Sequence, residues 1–321
     1  MRLMRVVHQF APAMSALLAG LPGVSEAVAM ETLGRSRWDF PVDADVLFVV
    51  HDEEKGGARA ADAPRPEGWP GQVKLVQTAS AGLDDYPDWL FDAPAVASAS
   101  GTTARPIAEF VLGLMLARVK RLDEVTLGRG AWGARWPERD AVIAAPMGTL
   151  EGRTLGLLGL GQIGQAVARL GLAFGMEVVA SRASDAPSPV DGVTLVGLDA
   201  LAGRADHLVL VAPITPVTRG IVGADFLGRM KAGAHLVNVA RGALVDEAAL
   251  RAALDAGKIW ASLDVVDPEP LPAGHWMFEH PRLRLTPHIS WSSPDVMRRI
   301  VERLVGNLAR LAAGEPLVGA V

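Results

Sequence analysis

Residues 156–164 read GLLGLGQIG, and this stretch decides the fold. Its last six residues place Gly159, Gly161 and Gly164 at the spacing GxGxxG, between an apolar run at residues 154–158 and a helical pattern. The apolar run predicts a buried parallel strand. In that setting the first glycine permits a tight turn, the second lets the backbone approach a pyrophosphate, and the third lets the helix pack closely on the strand. The phosphates would bind at the helix N-terminus, where free N–H groups and the helix dipole favour an anion.

A second strand pattern, at residues 177–181, follows at the distance that a βαβ unit requires, which favours dinucleotide binding over a plain glycine-rich turn. The end of this strand selects the dinucleotide, because a carboxylate there would bind the ribose of NAD and repel the extra phosphate of NADP. The chain has Ser181, Arg182 and Ser184 instead, with Asp185 beside them. A guanidinium and two hydroxyls are donors for a phosphate, although a solvated surface arginine is the alternative. We therefore predict NADP(H), with NAD(H) as the second choice.

Length and composition narrow the class of protein. The chain has 321 residues, more than one core usually fills, so two domains are expected. A net charge of −5 without a basic run gives no electrostatic footprint for nucleic acid. The absence of cysteine excludes disulfides and thiolate metal sites and fits a reducing, cytoplasmic compartment. His8, Gln9 and Pro12 interrupt the apolar N-terminus, which argues against a signal peptide, and no run approaches the ~20 apolar residues of a membrane span.

Strand and helix patterns alternate along the chain in two sections. The first contains an excursion at residues 51–71, whose glycine, proline and charge predict an exposed loop. The strands of the second predict a doubly wound parallel sheet, and a final helix at residues 296–312 has no place in it. The predicted fold class is α/β, with a Rossmann-type cofactor domain at residues 99–288 and a smaller flavodoxin-like substrate domain at residues 1–98 and 289–321. Strands are predicted at residues 5–7, 45–50, 73–77, 154–158, 177–181, 208–212, 234–239, 262–266 and 283–286, and helices at residues 15–21 and 106–119.

Six segments, taken in order, resemble the D-isomer-specific 2-hydroxyacid dehydrogenase family. The resemblance covers nearly the whole chain, and the order of the segments makes it highly specific. It implies two domains with the active site in the cleft between them, and a homodimer formed through the nucleotide-binding domains. The segments are SAGLD at residues 80–84, GLGQIG at 159–164, VAPITPVT at 211–218, NVARGALVDE at 238–247, LDVVDPEPLP at 263–272 and TPHIS at 286–290.

Three polar residues in these segments would form a reduction site. Arg241 follows a predicted strand, and its guanidinium can hold a substrate carboxylate and polarise the adjacent ketone, although a surface arginine is the alternative. The resemblance pairs Glu269 with His288, and a carboxylate beside an imidazole raises its pKa and keeps a proton available near neutral pH. His288 would donate that proton during ketone reduction and accept it during oxidation. Since the chain has seven histidines, an ordinary hydrogen-bonded histidine is the alternative.

The resemblance also implies supporting roles. Backbone N–H groups of Ser80, Ala81 and Gly82 would bind the substrate carboxylate opposite the arginine, with a plain turn as the alternative. Asp264 would hold the nicotinamide carboxamide. Asp246 and Glu247 are predicted to cap the helix that follows them. The rest of the predicted cofactor groove consists of Gln162, Ile163, Ala212, Pro213, Thr218, Val239 and Ala240.

Substrate size is predicted from tryptophans. Trp291 follows the candidate histidine, and in several small-acid reductases of the family a tryptophan from the loop matching residues 128–137, here Trp132 or Trp136, reaches the partner subunit's site. Packing tryptophans are the alternative. Together with the NADP prediction, this favours a glyoxylate or hydroxypyruvate reductase that forms glycolate or D-glycerate. The alternatives are a reductase of bulkier 2-oxo acids, a phosphoglycerate-type dehydrogenase, and a nucleotide-sensing corepressor that retains the fold.

Overall fold

The computed structural model describes residues 3–50, 60–122, 143–144 and 146–321, and the chain divides into two compact units. Unit 1 consists of Met1–Thr102 with Ser293–Val321, and unit 2 of Thr103–Ser292. The boundaries proposed from the sequence are 98 and 288, where the structure has 102 and 292. Each unit contains its own parallel sheet and its own buried clusters.

Unit 1 is built on a five-stranded parallel sheet in the order β2-β1-β3-β4-β5, counted within the described residues. Every residue of β3 and β4 is buried, which explains their short and nearly continuous apolar runs. The C-terminal helix, Val296–Ala313, places Val296, Ile300, Leu304 and Leu308 in the core of this unit, one turn apart. The strands are β1 (Met4–His8), β2 (Val24–Ala29), β3 (Val46–Val49), β4 (Leu75–Thr78) and β5 (Val96–Ala97), and helix α1 is Ala13–Ala19.

The described part of the excursion predicted to be exposed, residues 60–71, is partly buried. Trp69 is only 8% exposed, and its ring centroid lies 6.4 Å from that of Phe40 and 4.9 Å from that of Trp89. Trp89 also donates its indole N–H to the carbonyl of Ala63 at 2.8 Å. Glycine and proline therefore mark the turns of the described part, but the burial of one large aromatic ring packs this part against the unit.

Unit 2 is built on a seven-stranded parallel sheet in the order β12-β11-β10-β9-β6-β7-β8, again within the described residues. Two separate apolar clusters flank the sheet, as expected for a doubly wound fold with helices on both faces. The strands are β6 (Thr154–Leu158), β7 (Glu177–Ser181), β8 (Val193–Leu195), β9 (His207–Leu210), β10 (Ala234–Asn238), β11 (Ile259–Leu263) and β12 (Leu283–Leu285). The helices are α2 (Ala104–Val119), α3 (Gln162–Ala173), α4 (Leu198–Arg204), α5 (Ala224–Arg229) and α6 (Glu247–Asp255).

Two histidines lie inside this sheet as register partners. The Nδ1 atoms of His207 and His235 are 3.3 Å apart, and His235 Nε2 lies 2.9 Å from the hydroxyl of Ser262. Burial lowers the pKa of His207 to about 4, with Asp206 acting in the opposite direction. Burial, followed by the neighbouring His207, also holds the pKa of His235 well below its ordinary value. Both rings are therefore neutral structural groups at neutral pH.

The predicted fold class is confirmed, including the Rossmann-type sheet and the second α/β unit formed from both chain ends. The bounds predicted for the strand at residues 262–266 are wrong, because β11 runs from Ile259 to Leu263. Val265 and Val266 belong to the segment that follows the strand. None of the helices in the described ranges is long and apolar enough to cross a membrane.

Candidate active site

Three glycines shape the loop between β6 and α3. Gly159 has a φ of +104°, and a Cβ there would lie 2.8 Å from the backbone nitrogen of Ala212. A Cβ on Gly164 would lie 2.5 Å from the backbone oxygen of Gly159, so the helix packs this closely on the loop only because residue 164 is glycine. A Cβ on Gly161 would meet open space, and no described side chain caps α3 at this residue. The uncapped N–H groups and the open approach fit the pyrophosphate of a dinucleotide.

The end of β7 lies next to this loop, because the Gly159 N–H donates to the Ser181 carbonyl at 2.8 Å. Arg182 is half-buried there. Within the described ranges it makes no ion pair, not even with Asp185, which lies three positions further along the chain. Ser184 accepts the N–H of Ala186 at 3.1 Å, which leaves its hydroxyl hydrogen available. The strand end therefore offers a guanidinium and hydroxyl donors for an anionic group.

Arg241 lies just after β10 and is positioned by Asn238, the last residue of that strand. The fully buried Asn238 amide donates to the Arg241 carbonyl at 2.8 Å and accepts the Ala240 N–H at 3.1 Å. Arg241 Nη1 also donates to the Ala240 carbonyl at 2.8 Å. The side chain is half-buried at the carboxyl end of a central strand, where α/β sheets bind ligands.

Gly242 brings the arginine loop against the turn that carries Glu269. A Cβ on Gly242 would lie 2.0 Å from the carbonyl carbon of Val266 and 2.5 Å from the nitrogen of Asp267. Real Cβ atoms never approach backbone so closely, so glycine is required here. The loop of the guanidinium and the turn of the carboxylate thus have a fixed spacing.

His288 and Glu269 form a direct pair. The distance from His288 Nδ1 to Glu269 Oε1 is 2.6 Å. The pKa of His288 is raised, chiefly by the hydrogen bond to Glu269, whereas burial lowers it. The charge of Glu269 raises this pKa further, the charge of Arg241 lowers it, and the charge of Asp264 raises it. His288 has a φ of +52°, an uncommon value for a residue with a side chain, which is typical of functional positions.

Asp264, which is 1% exposed, holds the histidine loop in that conformation. Its carboxylate accepts the Thr286 hydroxyl at 2.6 Å, the Ile289 N–H at 3.0 Å and the Ser290 N–H at 2.9 Å, and its carbonyl accepts the His288 N–H at 2.9 Å. Both carboxylate oxygens are therefore engaged within the chain. The role predicted for Asp264 toward the nicotinamide carboxamide stays a prediction.

The remaining predicted residues lie in several places. Ala212 and Pro213 follow β9, Val239 and Ala240 follow β10, and Gln162 and Ile163 open α3. Thr218 donates its hydroxyl to the Pro213 carbonyl at 2.8 Å, so it stabilises its own turn. Trp291 is 44% exposed and donates its indole N–H to the His288 carbonyl at 2.8 Å. Ser80, Ala81 and Gly82 follow β4 in unit 1, whereas the others belong to unit 2. Trp132 and Trp136 lie outside the described residues.

Two predicted supports and three unpredicted ones complete the site. Asp246 caps α6 by accepting the Ala249 N–H at 2.8 Å, as predicted, and Glu247 accepts the indole N–H of Trp276 at 2.8 Å. Asn238, Gly242 and Thr286 support the site but were not predicted from the sequence. A polar residue at the end of a buried strand is the one signal that could have indicated Asn238.

Comparisons with known proteins agree on one family. The family model described as "D-isomer specific 2-hydroxyacid dehydrogenase, NAD binding domain" matches residues 112–290. The chain is 35% identical over 257 residues to a glycerate dehydrogenase of Methylorubrum extorquens, covering 76% of this chain and 77% of that protein. It is 32% identical over 251 residues to a glyoxylate reductase of Thermofilum pendens, covering 76% and 73%. Among solved structures, a D-isomer specific 2-hydroxyacid dehydrogenase from Xanthobacter autotrophicus Py2, in complex with NADPH and MES, is similar with a TM-score of 0.77, 28% identity and coverage of 99% and 98%.

Proposed function

The chain belongs to the D-isomer-specific 2-hydroxyacid dehydrogenase family, and we propose that it reduces a small 2-oxo acid, glyoxylate or hydroxypyruvate, to the D-2-hydroxy acid with NADPH. The resemblance identified in the sequence is confirmed, and with it an oxidoreductase that uses a nicotinamide cofactor. The finer choices of substrate and cofactor are supported by the residues described above.

The observation that carries the proposal is the His288–Glu269 pair at 2.6 Å, within the electrostatic reach of Arg241. Because Nδ1 of His288 faces Glu269, Nε2 is the atom left to carry a transferable proton. The raised pKa keeps His288 protonated over more of the neutral range, so it can donate to the ketone oxygen as that oxygen becomes an alkoxide. Arg241 would hold the substrate carboxylate and polarise the ketone. When bound, the nicotinamide supplies the hydride.

The preference for NADPH rests on Arg182. An acidic residue at the end of β7 would repel a ribose phosphate, whereas the positive charge of Arg182 would attract it. Arg182 makes no ion pair in the described part of the chain, so no carboxylate there competes with the phosphate. A planar guanidinium forms paired hydrogen bonds with phosphate, and the hydroxyls of Ser181 and Ser184 add donors. The proposal of a small acid rests on Trp291, a large and partly exposed ring hydrogen-bonded to the carbonyl of His288.

The proposed enzyme is a cytoplasmic homodimer. The family resemblance implies the dimer, and a chain without cysteine is compatible with a reducing compartment. Size-exclusion chromatography with light scattering measures the mass of the assembly, and a monomer at assay concentrations would contradict this part of the proposal.

A steady-state panel tests the proposed function. Glyoxylate, hydroxypyruvate, pyruvate, phenylpyruvate and 3-phosphohydroxypyruvate are each assayed with NADPH and with NADH. We expect the highest kcat/KM for glyoxylate or hydroxypyruvate with NADPH. A higher value for phenylpyruvate or for the phosphorylated acid would replace the proposed substrate, a preference for NADH would replace the cofactor, and the absence of turnover on every acid would contradict the enzymatic function.

A further inference from the structure

A chain of hydrogen bonds shapes residues 80–82, the loop proposed to bind the substrate carboxylate. The Ser80 hydroxyl donates to the Gly82 carbonyl at 2.8 Å and lies 2.9 Å from the Tyr86 hydroxyl. A serine hydroxyl has one hydrogen, and a carbonyl can only accept, so the Ser80 hydrogen is used on Gly82. Tyr86 is therefore the donor in the second bond.

Tyr86, the only tyrosine in the chain, is held firmly in place. It is 1% exposed, and its ring packs edge-to-face against Trp38, with the centroids 6.1 Å apart and the planes at 86°. Its backbone N–H donates to the Leu83 carbonyl at 3.2 Å. The phenol hydroxyl thus has a fixed position from which to bond the loop.

The other side of the loop is bonded to the sheet. The Ser80 carbonyl accepts the Thr78 hydroxyl at 2.9 Å and the Ala99 N–H at 3.0 Å. With its hydroxyl and its carbonyl both engaged, Ser80 determines the shape of the turn. The N–H groups of Ala81 and Gly82 have no acceptor among the residues that the structure describes.

We infer that Tyr86 is a positioning residue, which acts through Ser80 to hold the Ala81 and Gly82 N–H groups in the orientation that receives the substrate carboxylate. This inference rests on the proposed function of the loop. Donors that are held in place before binding lose less conformational entropy when the ligand arrives. Loss of the phenol hydroxyl should therefore weaken substrate binding while the proton-transfer residues of unit 2 remain as they are.

Tyr86→Phe removes the hydroxyl and keeps the ring, so it tests the inference directly. We expect KM for the 2-oxo acid to rise about five- to tenfold, the effect of one buried hydrogen bond, with kcat changed less than about twofold. Ser80→Ala removes both hydrogen bonds of the Ser80 hydroxyl, so its effect should be at least as large. The double variant should be no worse than Ser80→Ala alone, because the Tyr86 hydroxyl acts through Ser80. Thr32→Val is the control, since it removes a hydroxyl of the same unit that bonds the Ala29 carbonyl.

Calorimetric titration with oxamate, an analogue that is not reduced, gives a readout that does not depend on turnover. The dissociation constant of oxamate in the presence of NADPH should rise in Tyr86→Phe and Ser80→Ala and stay unchanged in Thr32→Val. Unchanged oxamate affinity and KM in Tyr86→Phe, or additive losses in the double variant, would overturn the inference. A parent protein that binds oxamate but reduces no 2-oxo acid would contradict the proposed function alone, and the titration would still decide the role of Tyr86.

Discussion

Replacing Gly242 with alanine should uncouple the arginine loop from the turn that carries Glu269. The new Cβ would lie 2.0 Å from the carbonyl carbon of Val266, whereas ordinary contacts begin at 3.4 Å, so the two backbones must separate by about 1.4 Å. The three nearest neighbours, two atoms of Val266 and one of Asp267, are all backbone atoms, which cannot turn aside as a side chain can. A displacement of about 1 Å in a catalytic group costs roughly 100-fold in rate, so we expect kcat/KM to fall by about that factor or more.

The assay combines steady-state kinetics with fluorescence titration of NADPH and thermal unfolding. The cofactor dissociation constant should change little, because the three atoms nearest to the new Cβ belong to Val266 and Asp267 and none to the glycine loop between β6 and α3. Gly228→Ala is the matched control: its Cβ would meet open space inside α5, so activity should be retained and stability unchanged or raised by up to ~1 kcal/mol. A Gly242→Ala enzyme with kcat/KM within threefold of the parent would refute the proposed fixed spacing of the two loops.

Four further perturbations test other parts of the site and the fold. Arg182→Ala should lower kcat/KM with NADPH by about 10- to 100-fold, because it removes a charge-assisted hydrogen bond of roughly 1.5–3 kcal/mol. The value of kcat/KM with NADH should not change, and equal losses with both cofactors would contradict the proposed role of Arg182 toward the phosphate. Arg241→Lys keeps the charge but loses the planar fork, so kcat/KM for 2-oxo acids should fall strongly with an unchanged NADPH dissociation constant, and near-normal turnover would make Arg241 structural. Ketone reduction needs protonated His288, so its rate declines as the pH rises through the pKa of His288. Glu269→Gln removes the charge that raises this pKa, and the alkaline limb of the pH profile should therefore move to lower pH. Coinciding profiles of variant and parent would show that the two residues are not coupled. Burial lowers the pKa of His207 to about 4 in the folded chain, so below pH 6.5 the unfolded chain binds more protons than the folded one. Through this residue, the free energy of unfolding should therefore fall by about 2 kcal/mol when the pH is lowered from 7 to 5. Denaturant unfolding of His207→Gln at both pH values should show a correspondingly smaller loss, and an equal loss would exclude His207 as its source.

The sheet of unit 2 was largely predictable because its strands are buried on both faces. The bounds of β6 and β7 agree with the apolar runs at residues 154–158 and 177–181. The prediction failed at β11, where Val265 and Val266 continue the apolar pattern after the strand has ended. The chain leaves the sheet there because Asp264 turns to bond the histidine loop, a contact that a local pattern does not contain.

The candidate site was predictable in its residue types but not in its supports. The segments around Arg241, Glu269 and His288 carry a specific resemblance, and the structure brings Glu269 and His288 within hydrogen-bonding distance. The hydrogen bonds of Asp264 to Ile289 and Ser290 span 25 and 26 positions, and the positive φ of His288 depends on them. Such long-range partners have no signature in a single sequence, since they follow from which strands become neighbours.

In the described part of the chain, the hydrogen bonds cited around His288 join residues of unit 2, and those cited around Ser80 join residues of unit 1. Glu269 bonds His288 within unit 2, while Ser80 bonds Gly82 and Tyr86 within unit 1. A mutation in the turn therefore removes neither partner of the hydrogen bond between His288 and Glu269. If the turn binds the substrate as proposed, substrate preference can evolve by mutations in the turn while the proton-transfer pair is inherited unchanged.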